Sequence, residues 1–274
     1  MFHQLEILSD EQSEKLYTIR RYIKNLESVC IAYSGGVDST LVASLAFEQL
    51  GSKAVAITGI SPALASTLRE EARSQAKWIG VKHLEVETSE LEESSYSKNP
   101  KDRCFACKKE LHKHTSYLSK KLNYKIVLDG VNLDDLKDYR PGIQASKQAG
   151  VISPLAKFKV SKQDIRDISR ALGFPWWDKP AQPCLASRFP YGHEITSERL
   201  RMVEKAEEYL KKGGLSEVRV RCQGTTARIE IPKDELNYFF KKYVFSELVQ
   251  YFSNLGFNCT SLDLEGLISG KLNR

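Results

Sequence analysis

No stretch of the 274-residue chain approaches the roughly 20 consecutive apolar residues that span a bilayer, so no membrane-crossing helix is expected. The N-terminus, MFHQLEILSDEQSEKLY, lacks the basic segment followed by an apolar stretch that marks an export signal, which makes a cytoplasmic location the default expectation. Internal repeats and low-complexity tracts are missing, and with them the solenoid and disordered-tail classes. Cysteine is scarce. Its six copies, at 30, 104, 107, 184, 222 and 259, are too few for a disulfide scaffold and in a cytosolic chain favour metal binding or chemistry over cross-links. Segregated charge is absent as well: 41 basic and 35 acidic residues leave a net charge of +6 scattered along the chain, which permits an anionic ligand without demanding nucleic acid.

A 41% hydrophobic composition with both charge signs well represented reads as globular, with one large core or two modest ones. In the first half, the β-branched runs SVCIAY, AVAIT, HLEVET and KIVLDGV alternate with the amphipathic segments STLVASLAFEQL, ALASTLREEARSQAKWI and KKELHKHTSYLSKKL. Such alternation predicts an α/β fold with a parallel sheet and ligands at the carboxyl ends of its strands. After SKQDIRDISRALGFP the rhythm stops at WWDKPAQPCLASRFPYG, which is too rich in Pro, Gly and aromatics for a regular element. This is expected to be an ordered junction loop, residues 176–192, that contributes to the active site. Beyond it come a charged helix from about Ser197 to Lys212, the strands EVRVRC and ARIEI, another helix, and a short strand in NCTSLDLEG. Two domains are expected, an ATP-binding one over residues 1–182 and a small α+β one over 183–274.

The stretch VCIAYSGGVDSTLVASL places Ser34-Gly35-Gly36 at the mouth of a buried strand and opens a helix at Asp38, Ser39 and Thr40. Glycines there let backbone N–H groups approach an anion, and the helix N-terminus adds positive potential. A plain Gly-Gly turn capped by Ser39 explains only part of the set. Neither the lysine of a Walker loop nor a G-x-G-x-x-G fingerprint is present. SGGVDST resembles the pyrophosphate loop (PP-loop) of the N-type ATP pyrophosphatases, of the adenine nucleotide alpha-hydrolase-like (HUP) class. The resemblance implies cleavage of ATP between the α and β phosphates, transfer of AMP to a substrate oxygen, and release of pyrophosphate. Asp129 and Asn132 in DGVNLDD follow a strand, where they are candidates to contact nucleotide or Mg²⁺; an Asn/Asp turn with a helix cap is the plainer alternative. Tyr139 and Arg140 are candidate wall residues.

DRCFACKKELH, LDGVNLDDLKDYRPG, PCLASRFPYG, EVRVR, ARIEIP and LDLEGLISGKLN together resemble the LarE family of ATP-dependent sulfur transferases over nearly the whole chain. The resemblance implies adenylation of a carboxylate on a pyridinium mononucleotide, a small-molecule substrate, followed by sulfur attack to give a thiocarboxylate of the nickel-pincer cofactor. Chemically this is sound, because a carboxylate becomes an electrophile only once AMP is installed as leaving group. Charge developing on the α phosphate calls for cations and Mg²⁺. Arg219 and Arg221 alternate on one strand face and are candidates to grip a phosphate, a solvated basic face being the alternative. Arg188 and the adjacent Ser187 are similar candidates. Glu207 matches a family carboxylate that helps hold metal or substrate, although its sequence context is that of a surface glutamate.

Cys104 and Cys107 form a C-x-x-C that by itself leaves a redox pair, half a zinc site and coincidence open; no second pair completes a four-ligand zinc site. The family comparison makes Cys184 the third member. Some relatives carry a cysteine there that donates its own sulfur, whereas three thiolates at 104, 107 and 184 would hold a 4Fe-4S cluster with one iron open to a sulfide from a separate donor. Two other readings remain: an iron-sulfur protein that senses AMP or ATP, and a tRNA thiolation enzyme. tRNA is not expected as a partner, since no zinc ribbons or basic stripe appear. A homo-oligomer is compatible with the family.

Overall fold

The computed structural model describes residues 2–137, 141–268 and 270–271; Tyr139 and Arg140 lie outside the described residues. The chain divides into two compact units, one of Met1–Glu90 with Asp102–Gln182 and the other of Leu91–Lys101 with Pro183–Arg274.

In the first unit β1 (Val29–Ala32), β2 (Ala54–Ile60), β3 (Lys82–Glu87) and β4 (Ile126–Leu128) pair in parallel in the order β3-β2-β1-β4. β1 is buried at every position, as a central parallel strand covered on both faces must be, which is why it reads as an unbroken apolar run. The helix Val37–Leu50 follows it and is buried through most of its length, with Leu41, Val42 and Leu45 joining Ile19, Ile23, Ile165 and Ile168 in the main core. Cys30, Val55 and Ile57 pack separately with Leu118 and Tyr124. The connections from β1 to β2 to β3 step one way across the sheet, and β4 then lies on the far side of β1. The strand order thus reverses between β1 and β4, and it is beyond the carboxyl ends of strands at such a reversal that open α/β sheets bind ligands.

Three longer helices of this unit were not anticipated by the strand-helix pattern, nor was the single turn Pro154–Lys157. Asp10–Lys24 and Lys162–Ala171 each start on a capping box, from Ser9 with Gln12 and from Ser161 with Asp164. Pro141–Gln148 lies beside the helix Arg103–Lys121, which begins ahead of the expected KKELH run and so takes in both Cys104 and Cys107.

The second unit holds the hairpin β5 (Arg219–Gln223) and β6 (Thr226–Glu230), with β7 (Cys259–Leu262) parallel to β6. The expected helix spans Ser197–Lys212 and packs on β5, burying Leu200, Val203 and Leu210. Two helices, Leu236–Lys242 and Phe245–Asn254, stand where one was expected. The segment 91–101 belongs here because Asn99, wholly buried, donates through Nδ2 to the Phe189 and Pro190 carbonyls at 3.2 and 2.7 Å and accepts from the Gly192 amide at 2.9 Å.

Candidate active-site elements

At the mouth of β1, Gly35 has φ +70°, and a Cβ there would stand 3.0 Å from the Cα and Cβ of Ala72, so both the turn and the close approach require glycine. Gly36 is the N-cap of the helix Val37–Leu50 and supplies no side-chain cap, which leaves first-turn amides for an external anion. Ser39 stiffens the loop: its Oγ accepts from the Ser34 amide at 3.2 Å, donates to the Gly36 carbonyl at 3.1 Å and lies 3.2 Å from Ser34 Oγ. Asp38 is ion-paired with Lys162 at 2.5 Å. Thr40 is turned the other way. It is fully buried and donates to Gln75 Oε1 at 3.1 Å, an oxygen that also lies 3.3 Å from the Tyr33 hydroxyl. Burial pushes the Tyr33 phenol up to about 12.

β4 delivers Asp129 and Gly130 beside this loop. A Cβ on Gly130 would lie 2.6 Å from the Ser39 amide nitrogen, so this glycine sets how closely the end of β4 meets the loop. No signal short of the fold reveals that role. Asp129 is buried; its Oδ1 accepts from the Val131 amide at 3.2 Å, and its Oδ2 is buried without a partner. An orphaned carboxylate oxygen beside a phosphate-type loop is a donor of the kind Mg²⁺ takes. Asn132 serves the local turn, its Oδ1 accepting from the Asp134 and Asp135 amides at 2.9 and 3.1 Å while Asp135 accepts in return from the Asn132 amide.

Cys104 and Cys107 stand one turn apart near the start of the helix Arg103–Lys121, the first exposed and the second half-buried. Cys184 is exposed in the second unit, whereas Cys30 and Cys222 are core thiols whose titration burial pushes up, Cys30 to about 11. No disulfide forms among the described residues. Nor are three His, Cys, Asp or Glu side chains gathered among them in a way that could hold a metal ion.

Cys184 caps the short 3-10 turn Leu185–Arg188. Arg188, turned inward, donates from Nη1 to the Pro183 carbonyl at 2.9 Å, the Cys184 carbonyl at 3.3 Å and Ser187 Oγ at 2.9 Å. Its other two nitrogens grip Glu207. Glu207 is thus no surface glutamate: it is 4% exposed, with one oxygen also accepting from the Val220 amide at 2.9 Å. Arg221 pairs with the fully buried Glu230 at 2.9 Å and donates to the Ser187 carbonyl at 2.8 Å. Arg219 lies directly across the hairpin from Glu230, yet forms no ion pair among the described residues. Burial and the neighbouring charges of Arg188 and Arg221 lower its affinity for a proton. Among the described residues this half-buried guanidinium is in no ion pair, with Glu230 and Glu207 acting on it only through longer-range attraction, which makes it a landing point for an anion. Glu230 went unnoticed in sequence because only its burial marks it.

No protein-family model matches the chain. It is 53% identical over 260 residues to an uncharacterized protein of Synechocystis sp., covering 95% of this chain and 97% of that protein. It is 34% identical over 261 residues to the pyridinium-3,5-bisthiocarboxylic acid mononucleotide synthase of Lactiplantibacillus plantarum, covering 94% of each. An uncharacterized protein of Methanocaldococcus jannaschii is 31% identical over 247 residues, 90% of this chain and 93% of that one.

Proposed function

Because this chain belongs to the LarE family of ATP-dependent sulfur transferases, we propose that it adenylates a carboxylate of a pyridinium mononucleotide and replaces the activated oxygen with sulfur. The curated relative is a synthase of a bisthiocarboxylic acid mononucleotide, so the acceptor class carries over through nickel-pincer-type chemistry. The enzyme is an ATP pyrophosphatase-type sulfur transferase.

Ser34, Gly35, Gly36, Ser39 and the first amides of the helix Val37–Leu50 receive the phosphates. The substrate carboxylate oxygen attacks the α phosphorus, the bond to the bridging oxygen breaks, and pyrophosphate leaves with both electrons. Preorganised amides meet that charge as it develops. Asp129, with its unpartnered oxygen, would hold Mg²⁺ beside them. Arg219, with Arg221 behind it, takes the phosphate of the mononucleotide. Arg188 and Glu207 hold the turn that presents Cys184, and Ser187 sits inside that clamp.

Cys104, Cys107 and Cys184 are the thiols proposed to hold a 4Fe-4S cluster: none is sealed in an apolar core as Cys30 and Cys222 are, which supports them as donors by chemistry alone. A cluster held by these three thiolates would supply sulfide for the transfer. With only Cys184 engaged, its thiolate attacks the acyl carbon and AMP departs. Loss of the Cα proton with cleavage of the Cys184 C–S bond then gives thiocarboxylate and dehydroalanine.

The observation that carries the reading is Cys184, exposed at the head of a turn anchored by buried ion pairs. The test is iron, acid-labile sulfide and absorbance near about 400 nm on anaerobically purified protein, beside Cys184→Ser, with ATP conversion to AMP and pyrophosphate followed in parallel. A cluster lost in the variant supports the three-thiol site. Protein lighter by the mass of H₂S after turnover assigns the sulfur to Cys184. Absence of AMP formation with any carboxylate mononucleotide would sink the enzyme reading.

A further inference from the structure

Two guanidinium-carboxylate pairs converge on the Cys184 turn, and only one of them, Arg188 with Glu207, is close to it in sequence. The second begins on the hairpin. Arg221 and Arg228 are direct cross-strand partners, a like-charge pair that repels unless an anion intervenes. Glu230 is that anion: Oε2 accepts from Arg221 Nε at 2.9 Å and Oε1 from Arg228 Nη2 at 3.2 Å. With two Arg221 nitrogens committed to Glu230, the third, Nη1, is aimed at the Ser187 carbonyl at 2.8 Å. Register alone would set Glu230 against Arg219, so its diagonal bonding to Arg221 is also what leaves Arg219 without an ion pair among the described residues.

We propose that Glu230 is a positioning residue of the sulfur-delivery site, acting through Arg221 to fix the Leu185–Arg188 turn and, by turning away from Arg219, to leave that arginine for an anion. The role assigned to the turn rests on the sulfur-transfer reading; the mechanical coupling does not. Glu230 touches no reacting atom, and a fully buried carboxylate with three charge-assisted bonds is held too tightly to move with a substrate.

The test is hydrogen exchange on full-length Glu230→Gln, reading peptides that cover residues 184–189 against peptides of the helix Ser197–Lys212. The expected result is exchange in the turn faster by roughly tenfold or more with the helix unchanged, a contrast that general destabilisation would not give. ATP-pyrophosphate exchange should persist in the same variant while thiocarboxylate formation falls, chiefly in kcat. A folded variant whose turn exchanges like the parent overturns the proposal. Should Glu230→Gln fail to fold, Arg221→Met/Glu230→Met removes both charges together, and the same peptides decide. A loosened turn without thiocarboxylate formation by the parent would leave the coupling standing and refute the sulfur-transfer reading alone.

Discussion

Arg188 and Glu207 form a doubly bonded ion pair in the interior, Nε to Oε1 at 2.7 Å and Nη2 to Oε2 at 3.0 Å. Glu207 also takes the Val220 amide, and Arg188 also takes the carbonyls of Pro183 and Cys184. One pair therefore ties three pieces of chain together: the Cys184 turn, the helix Ser197–Lys212 and β5. Glutamate is the residue type that does this, because its two oxygens can meet the planar guanidinium and still spare a lone pair for the amide.

Breaking the pair from one side strands a buried charge. Glu207→Ala is expected to cost about 3–5 kcal/mol and to lower the thermal midpoint by roughly 10 °C. Arg188→Met/Glu207→Met should recover most of that loss, because a buried ion pair offsets little more than its own desolvation, yet it should not recover sulfur transfer. Thermal unfolding and thiocarboxylate assays on the same preparations check both halves. Equal stability of Glu207→Ala and the parent would refute the account.

Most of the first unit was legible in sequence, because a central parallel strand and its crossover helices write their burial directly into apolar runs, and because the loop needs glycines where it needs them. The arrangement of the charges was not. Glu207 sits in EKAEEY, where helical spacing gives no reason to separate it from Glu204 or Glu208; only the partner nineteen residues earlier does. Thr40 and Ser39 look equivalent in sequence, and only the position of Gln75 tells them apart. The polar stretch LEESSYSKNPK carries no hint that its Asn99 is fully buried beneath the chain that follows Cys184.

Gly130 yields a steric prediction. An alanine Cβ would lie 2.6 Å from the Ser39 nitrogen and 2.9 Å from its Cα, both backbone atoms of the helix turn proposed to meet the phosphates. The backbone must shift, costing about 1–3 kcal/mol of stability. Gly130→Ala should weaken binding of a non-hydrolysable ATP analogue by roughly tenfold or more, about 1.4 kcal/mol, in isothermal calorimetry. Unaltered affinity would mean that the end of β4 does not set the loop.

Ser39 and Thr40 should separate cleanly. Thr40→Val removes a buried donor from Gln75 and is expected to cost about 1–2 kcal/mol in urea unfolding while changing ATP affinity by less than about twofold. Ser39→Ala removes the side chain that joins Ser34 to Gly36 and should do the reverse, with a small stability loss and roughly tenfold weaker nucleotide binding. The opposite pattern would place Thr40, not Ser39, at the phosphates.

His112 supplies the pH dependence. Its Nε2 lies 2.8 Å from Ser146 Oγ, its Nδ1 is buried without a partner, and burial with Lys108 nearby holds its pKa at about 4 against an ordinary 6.5. The folded protein thus keeps this imidazole neutral, while the unfolded chain takes up a proton below 6.5. Between those two values the unfolded state binds more protons, so stability rises with pH there and is lost as pH falls from 6.5 toward 4. The loss amounts to about 3 kcal/mol at most. Urea unfolding at pH 7 and near pH 5 should show a drop that His112→Gln reduces, since an amide of similar reach can bond Ser146 without titrating. A variant whose stability falls with pH as steeply as the parent's would assign the acid sensitivity elsewhere.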